Sequence, residues 1–365
     1  MKALRPITLL AWGQMAFGIW GIVLAGPPET LAPPPRVAVL PFANYAEAPE
    51  AMPLVMSLVR QELERKNVQL VDSQTVADAL RAHRVRRTNE LDVDQLHALS
   101  DELAAYLLVG SLDRCVESNG AGEVALSARL IYAPNASIEW TGTASRHTQD
   151  GIRLLELGRE GDVKKLARRA VKDLLHDFRF EHPADRRLVE RVRLRQGNYY
   201  DEKLCERILV LPLVNESSLY NAGGIVQNHL VSALDRFGYV VVEPGCVRGA
   251  MLEEGDVSPG RASAELLRIC RKELGVNLIL TGAVSQFDCA SSANMNEIPS
   301  VAVEARLIEA VTGHVVWAKT VRAAGDDTNL LFGTGTIYSA ASVAGRVANQ
   351  LVKAIPVRRV RKDEQ

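Results

Sequence analysis

The chain has 365 residues, 47% of them hydrophobic and 24% charged, enough apolar material for two domains with cores of their own, which excludes a disordered chain. Its 43 basic and 44 acidic side chains leave a formal net charge of −1. No overall field of that size gathers nucleic acid or an anionic membrane, so no nucleic-acid partner is expected.

In chain order, Lys2 and Arg5 precede an apolar run from Ile7 to Ala25 that closes on Val23-Leu24-Ala25, the layout of an export signal. The run is also near the length that spans a bilayer. Residues 1–25 therefore read as a cleaved signal peptide or a retained membrane anchor, with membrane contact only through residues 7–25 if they are kept. Either way the remainder is expected in the periplasm. Residues 26–35, with Pro27, Pro28 and Pro33 to Pro35, form an extended spacer. Leu24-Ala25-Gly26 opens like a lipoprotein box, but Pro27 stands where the lipid-bearing cysteine would come.

Beyond the spacer the chain repeats itself. Arg36-Val-Ala-Val-Leu-Pro-Phe42 returns as Arg207-Ile-Leu-Val-Leu-Pro-Leu213, Leu107-Leu-Val-Gly110 as Ile279-Leu-Thr-Gly282, and Ala128-Arg-Leu-Ile as Ala305-Arg-Leu-Ile, with Trp140 matched by Trp317. Ordered matches over so long a period indicate two tandem domains rather than a solenoid. The first is expected over residues 36–178 and the second over 206–355, joined by a charged linker at 179–205 and followed by a basic tail at 356–365.

Each copy opens with a short apolar strand stopped by Pro41 or Pro212. A helix follows, with Leu54, Val55, Leu58, Val59 and Leu63 on one face, or Ile225, Val226, Leu230, Val231 and Leu234. Val68 to Val71 and Tyr239 to Val242 read as second strands, and Ser73 is the expected cap of the next helix. A further helix leads to the strands 105–112 and 276–285, whose Gly110 and Gly282 mark an end or a bulge. Val124, Leu126, Ala128 and Leu130, like Val301, Val303, Ala305 and Leu307, alternate with polar residues as in a strand with one buried face. These strands turn back as hairpins carrying Trp140 and Trp317, and helices at 162–177 and 337–354 close the copies. The fold class is thus α/β (α+β), two tandem domains, each a mixed sheet of about five strands with helices packed on it. Trp140, Trp317, Gly110, Gly282, Pro41 and Pro212 are its expected structural anchors.

The chemistry-bearing signals are few. There is no HExxH, GxSxG, GxxxxGK[ST] or CxxC in the chain, so no catalytic residue, metal ligand or cofactor is assigned. The five cysteines read as buried apolar residues or a local staple, with Cys246 and Cys270 the preferred disulfide. Gly333-Thr-Gly335-Thr before the last helix is either an ordinary loop or an anion-binding one.

The Val-Leu-Pro-Phe opening with Asn44 (Asn215 in the second copy), the Gly110 and Gly282 strands, Ala-Arg-Leu-Ile and Val311-Thr-Gly-His-Val-Val-Trp317 together resemble the domain shared by CsgG, the TolB amino terminus and the lipoprotein activators of penicillin-binding proteins. The resemblance covers nearly all of the chain after residue 35 and implies a TolB-N/CsgG-like fold. It also implies a periplasmic, non-enzymatic role that works through contacts with envelope proteins, often as a homo-oligomer. The expected function is a protein-binding scaffold in envelope assembly, secretion or cell-wall synthase regulation. The alternative is a periplasmic receptor for a small molecule or glycan.

Overall fold

The computed structural model describes residues 36–118, 121–150, 162–178, 207–253, 262–289, 297–327 and 335–356. All of them belong to one unit, Pro35–Gln365. The first half contains β1 (Arg36–Val39), β2 (Ala43–Asn44), α1 (Met52–Arg65), β3 (Gln69–Leu70), α2 (Ser73–Ala82), α3 (Val93–Glu102), β4 (Tyr106–Ser118), β5 (Ala121–Tyr132), β6 (Ser137–His147) and α4 (Val163–Leu174). The second contains β7 (Arg207–Val210), β8 (Val214–Asn215), α5 (Ala222–Arg236), β9 (Val240–Val242), a 3-10 turn (Pro244–Val247), α6 (Arg248–Glu253), α7 (Ala264–Lys272), β10 (Leu278–Asp288), β11 (Ser300–Glu309), β12 (Val315–Ala324) and α8 (Ala340–Lys353).

The two halves share one strand order. β1 lies between β3 and β4, parallel to both, and β4, β5 and β6 form an antiparallel meander; β7, β9, β10, β11 and β12 repeat the pattern. Even the irregularities recur. β5 shifts register against β6 between Leu130 and Ile131, and β11 against β12 between Leu307 and Ile308. The halves do not form separate sheets. β6 pairs with β9 at Ser137 and Val242, producing one 12-stranded sheet in the order β12-β11-β10-β7-β9-β6-β5-β4-β1-β3, with β2 and β8 alongside β4 and β10. The α/β class holds as one large mixed sheet with helices on both faces.

Side-chain alternation along the short parallel strands divides the core. Val37 and Val39 face α1 and α4 with Leu63, Leu126 and Leu174. Their counterparts Ile208 and Val210 face α5 and α8 with Leu230, Val303 and Val347. Ala38, Leu40, Leu209 and Leu211 point to the opposite face, where one continuous cluster joins Leu99 and Ile131 of the first half to Val242 and Leu266 of the second. With helices on both sides, β5 is buried almost throughout rather than on one face, as its alternation suggests. Its polar residues must therefore find partners inside the protein.

Two local details differ from expectation. Asp72, not Ser73, caps α2, accepting from the backbone N–H groups of Gln74 and Thr75, because the residue before the first helical turn is the one whose side chain reaches them. Asp92 and Gln95 form a reciprocal capping box on α3.

Gly110 and Gly282 sit where neighbouring strands leave no room for a side chain. A Cβ on Gly110 would lie 2.5 Å from the Ser127 carbonyl and 2.7 Å from the Phe42 ring, and one on Gly282 would lie 1.9 Å from the Glu304 carbonyl. Trp140 is buried and packs edge-on against Phe178 at 4.9 Å, while Trp317 is half-buried against the second core. Pro41 is exposed and Pro212 half-buried, each just past its opening strand. Gly282→Ala is expected to cost about 1–3 kcal/mol by forcing backbone movement, and Trp140→Ala about 3–5 kcal/mol by leaving a cavity. Thermal denaturation of the two variants reads both.

Candidate functional site at the seam between the halves

A network of buried polar groups runs through the seam. Arg129, on the buried strand β5, has its guanidinium clamped by Glu243, which follows β9: Nε donates to Oε2 and Nη2 to Oε1, both at 2.6 Å. Both residues are buried. Nη2 also donates to the Asn89 carbonyl at 2.8 Å, and Nη1 to Asn228 Oδ1 at 3.2 Å. Burial pulls the Arg129 pKa down, but the Glu243 charge and hydrogen bonds outweigh it and hold the guanidinium above its ordinary value. Glu243 also accepts from the Gly245 N–H, so one carboxylate caps a turn of the second half and neutralises a cation of the first.

The network continues through Asn228, whose Nδ2 donates to Ser111 Oγ at 3.0 Å. Ser111 and Ser127 each donate to one oxygen of Asp113, which is buried. Burial raises the Asp113 pKa to about 7, against the opposing effect of the two serine hydrogen bonds. At the other end, Asn89 Nδ2 donates to the Tyr45 hydroxyl, and burial lifts that phenol to about 12. Asn221 Nδ2 donates to the Tyr45 carbonyl at 3.0 Å, so α5 begins against the first half.

Along β6, Thr141 donates to Asp235 at 3.0 Å, and the Ser145 and Ser342 hydroxyls meet. Between β6, α5 and α8 lies an open pocket of about 580 Å³, lined among others by Ser145, His229, Arg236, Arg346 and Lys353. His229 is buried with neither ring nitrogen hydrogen-bonded, and burial, then the Arg236 charge, lowers its pKa to about 4. The arrangement suits cohesion between the halves and, at the pocket, contact with an anion. Among the described residues no group of three or more His, Cys, Asp and Glu side chains is placed to hold a metal ion.

Of the residues singled out from sequence, the structure brings Cys246 and Cys270 into one core cluster, where they stand as unbridged thiols among aliphatic side chains. Burial raises both, Cys270 to about 12. Gly335 adopts a left-handed φ of 97°, and Gly333 lies outside the described residues. So do residues 7–25, the 179–205 linker and most of the basic tail. Among the described residues, no helix is long and apolar enough to cross a membrane. Sequence reasoning missed Arg129, Glu243, Asn228 and Asp113. The available signal was Arg129 itself, a cation in the middle of a strand with apolar neighbours, which demands a counter-charge.

Fold and seam define an α/β protein of two halves with the same strand order, joined edge to edge through a single sheet. Residues 198–356 match the GNA1162-like lipoprotein family. The match corrects the resemblance to CsgG and the TolB amino terminus: the family model that fits these residues is a different one. No curated protein matches the chain. Solved structures similar to it include the PelC dodecamer from Paraburkholderia phytofirmans (19% identity, 40% of this chain and 84% of that one, TM-score 0.29). Lipoprotein GNA1162 from Neisseria meningitidis is another (19%, 41% and 99%, TM-score 0.29), as is the LpoB C-terminal domain from Salmonella enterica (17%, 37% and 92%, TM-score 0.23).

Glu243→Gln removes the negative charge from a buried guanidinium and is expected to destabilise by about 3–5 kcal/mol in urea titration, whereas the paired Arg129→Met/Glu243→Leu change recovers most of the loss. Asp113 and His229 predict opposite pH trends. The folded Asp113 value, about 7, lies above its ordinary 3.8, so the stability linked to it is full below that lower value and is lost as pH rises toward 7. The folded His229 value, about 4, lies below 6.5, so its share is full above that and is lost as pH falls toward 4. Asp113→Asn removes only the first trend. Its stability relative to wild type should climb as the pH rises from 4 to 7, and a flat difference would refute the assignment.

Proposed function

We propose that the chain is an exported, non-enzymatic cell-envelope protein acting as a protein-binding scaffold in envelope assembly, secretion or cell-wall synthase regulation, with residues 7–25 as its tether where they are retained. The observation that carries this reading is the edge strand β12. β12 pairs with β11 on one side and, among the described residues, ends the sheet on the other. Val311, Val315 and Val316 at its hairpin end are 60%, 55% and 49% exposed. An edge with free backbone groups and exposed aliphatic side chains suits the addition of another chain. It lies within residues 198–356, the stretch matched to the GNA1162-like lipoprotein family.

A second reading rests on the seam pocket. Arg236, Arg346 and Lys353 in its lining suit a small anionic molecule or an acidic glycan. Such a ligand stabilises the folded protein by mass action.

A photo-crosslinking residue at position 316 in intact cells separates the two. An envelope-protein adduct formed from 316 and absent when the probe replaces the exposed Asp78 is the expected result. No adduct at 316, combined with a rise in Tm on adding an acidic saccharide, would overturn the scaffold in favour of the receptor.

A further inference from the structure

Each half of the sheet has two unlike edges. One is formed by β3 or β9, the other by β6 or β12. The seam joins β6 to β9, which among the described residues leaves one edge of each kind at the ends of the sheet, β3 and β12. A contact between unlike edges is heterologous, so the surfaces that make it recur at both ends of the assembled unit. We infer that this protein associates with further copies of itself head to tail, β12 of one chain docking on β3 of the next and repeating between chains the seam found within one. The inference rests on reading the β12 edge as a protein-binding surface, and it names a second copy of this chain as the occupant.

Register makes the equivalent positions unambiguous. Arg36 pairs with Gln69 as Arg207 pairs with Val240, and Leu130 pairs with Trp140 as Leu307 pairs with Trp317. It follows that Val315 corresponds to Ile138, Arg306 to Arg129, Asp72 to Glu243 and Arg36 to Arg207. Ile138 is 1% exposed because it enters the core of the second half, whereas Val315 is 55% exposed.

Charge agrees with shape. Arg129 meets Glu243 in the seam; at the open ends Arg306 keeps the cation and Asp72 the carboxylate. The Arg306 side chain is 55% exposed and rests on Glu304 of its own half. Asp72 is exposed and caps α2, as Glu243 caps its own turn while holding Arg129. Arg207 donates to the Asn135 carbonyl across the seam at 3.0 Å, and its exposed counterpart Arg36 is free to reach the turn at Thr312 of another copy. Two polar contacts thus have their halves displayed at opposite ends of the sheet, with Val315 exposed beside one of them.

Sedimentation of the purified full-length chain in mild detergent tests this. Wild type is expected to form species heavier than a monomer that grow with concentration. Arg306→Glu and Val315→Asp should each weaken self-association about tenfold or more, with unchanged circular dichroism and Tm. Asp72→Asn keeps an oxygen for the α2 cap while removing the charge and should weaken association too. Arg306→Glu combined with Asp72→Arg restores it, with Tm lowered only by the lost α2 cap. A wild-type chain that stays monomeric at every concentration, or oligomers indifferent to both Arg306→Glu and Val315→Asp, would overturn the inference. If the monomeric chain still forms an adduct with another envelope protein at position 316, the inference fails and the scaffold reading stands.

Discussion

A guanidinium and a carboxylate taken out of water at the same point, Arg129 on β5 and Glu243 after β9, constrain how the halves of this protein can be arranged. Neither charge tolerates burial alone, and each is paired with an opposite charge of the other half. The pair is held in place by short local contacts: Glu243 by the turn it caps, Arg129 by a strand buried on both faces. Sliding β6 along β9 would separate the charges and expose Ile138 together. Polar and apolar terms therefore select the same register.

The two sheet faces contribute differently to cohesion. On the face covered by α1, α4, α5 and α8 the cores are distinct, although Ile138 of the first half enters the second core and Tyr45 packs against it. On the other face a single cluster runs from Leu99 to Leu266 without a break. Separating the halves would uncover aliphatic surface on that face and strand Arg129 and Asn228 on opposite sides. This explains why two halves of the same strand order form one unit from Pro35 onward.

Much of the architecture was legible because it rests on local periodicity. The opening strands before Pro41 and Pro212, the helical faces around Leu58 and Leu230, and the hairpins bearing Trp140 and Trp317 need only neighbouring residues to be read. The cap of α2 was misplaced by a single residue, because Asp72 and Ser73 are both capping types and only backbone geometry distinguishes them. The family was misread for a related reason, since strand and turn motifs recur in proteins of different families. The seam was not legible. Arg129 and Glu243 are 114 residues apart, and nothing in either segment announces the other. The alternation in β5 likewise suggested one wet face, and only the helices brought from both halves make it dry.

The unpaired edges carry their own defence, and its distribution is informative. β3 is two residues long, and β12 carries Lys319 and Arg322 along its outer half, both common devices against indiscriminate strand pairing. The defence stops at the hairpin end, where Val315 and Val316 stand exposed. In the seam, β6 needs only that same end: its registered pair with β9 is Ser137 with Val242, beside Ile138, while farther along Thr141 and Ser145 meet helices rather than a strand. A guarded strand with an open tip can thus refuse extended pairing and still accept the short contact that the seam employs. Selectivity then lies in the charges beside the tip, since a partner must bring an acid to Arg306 as Glu243 brings one to Arg129.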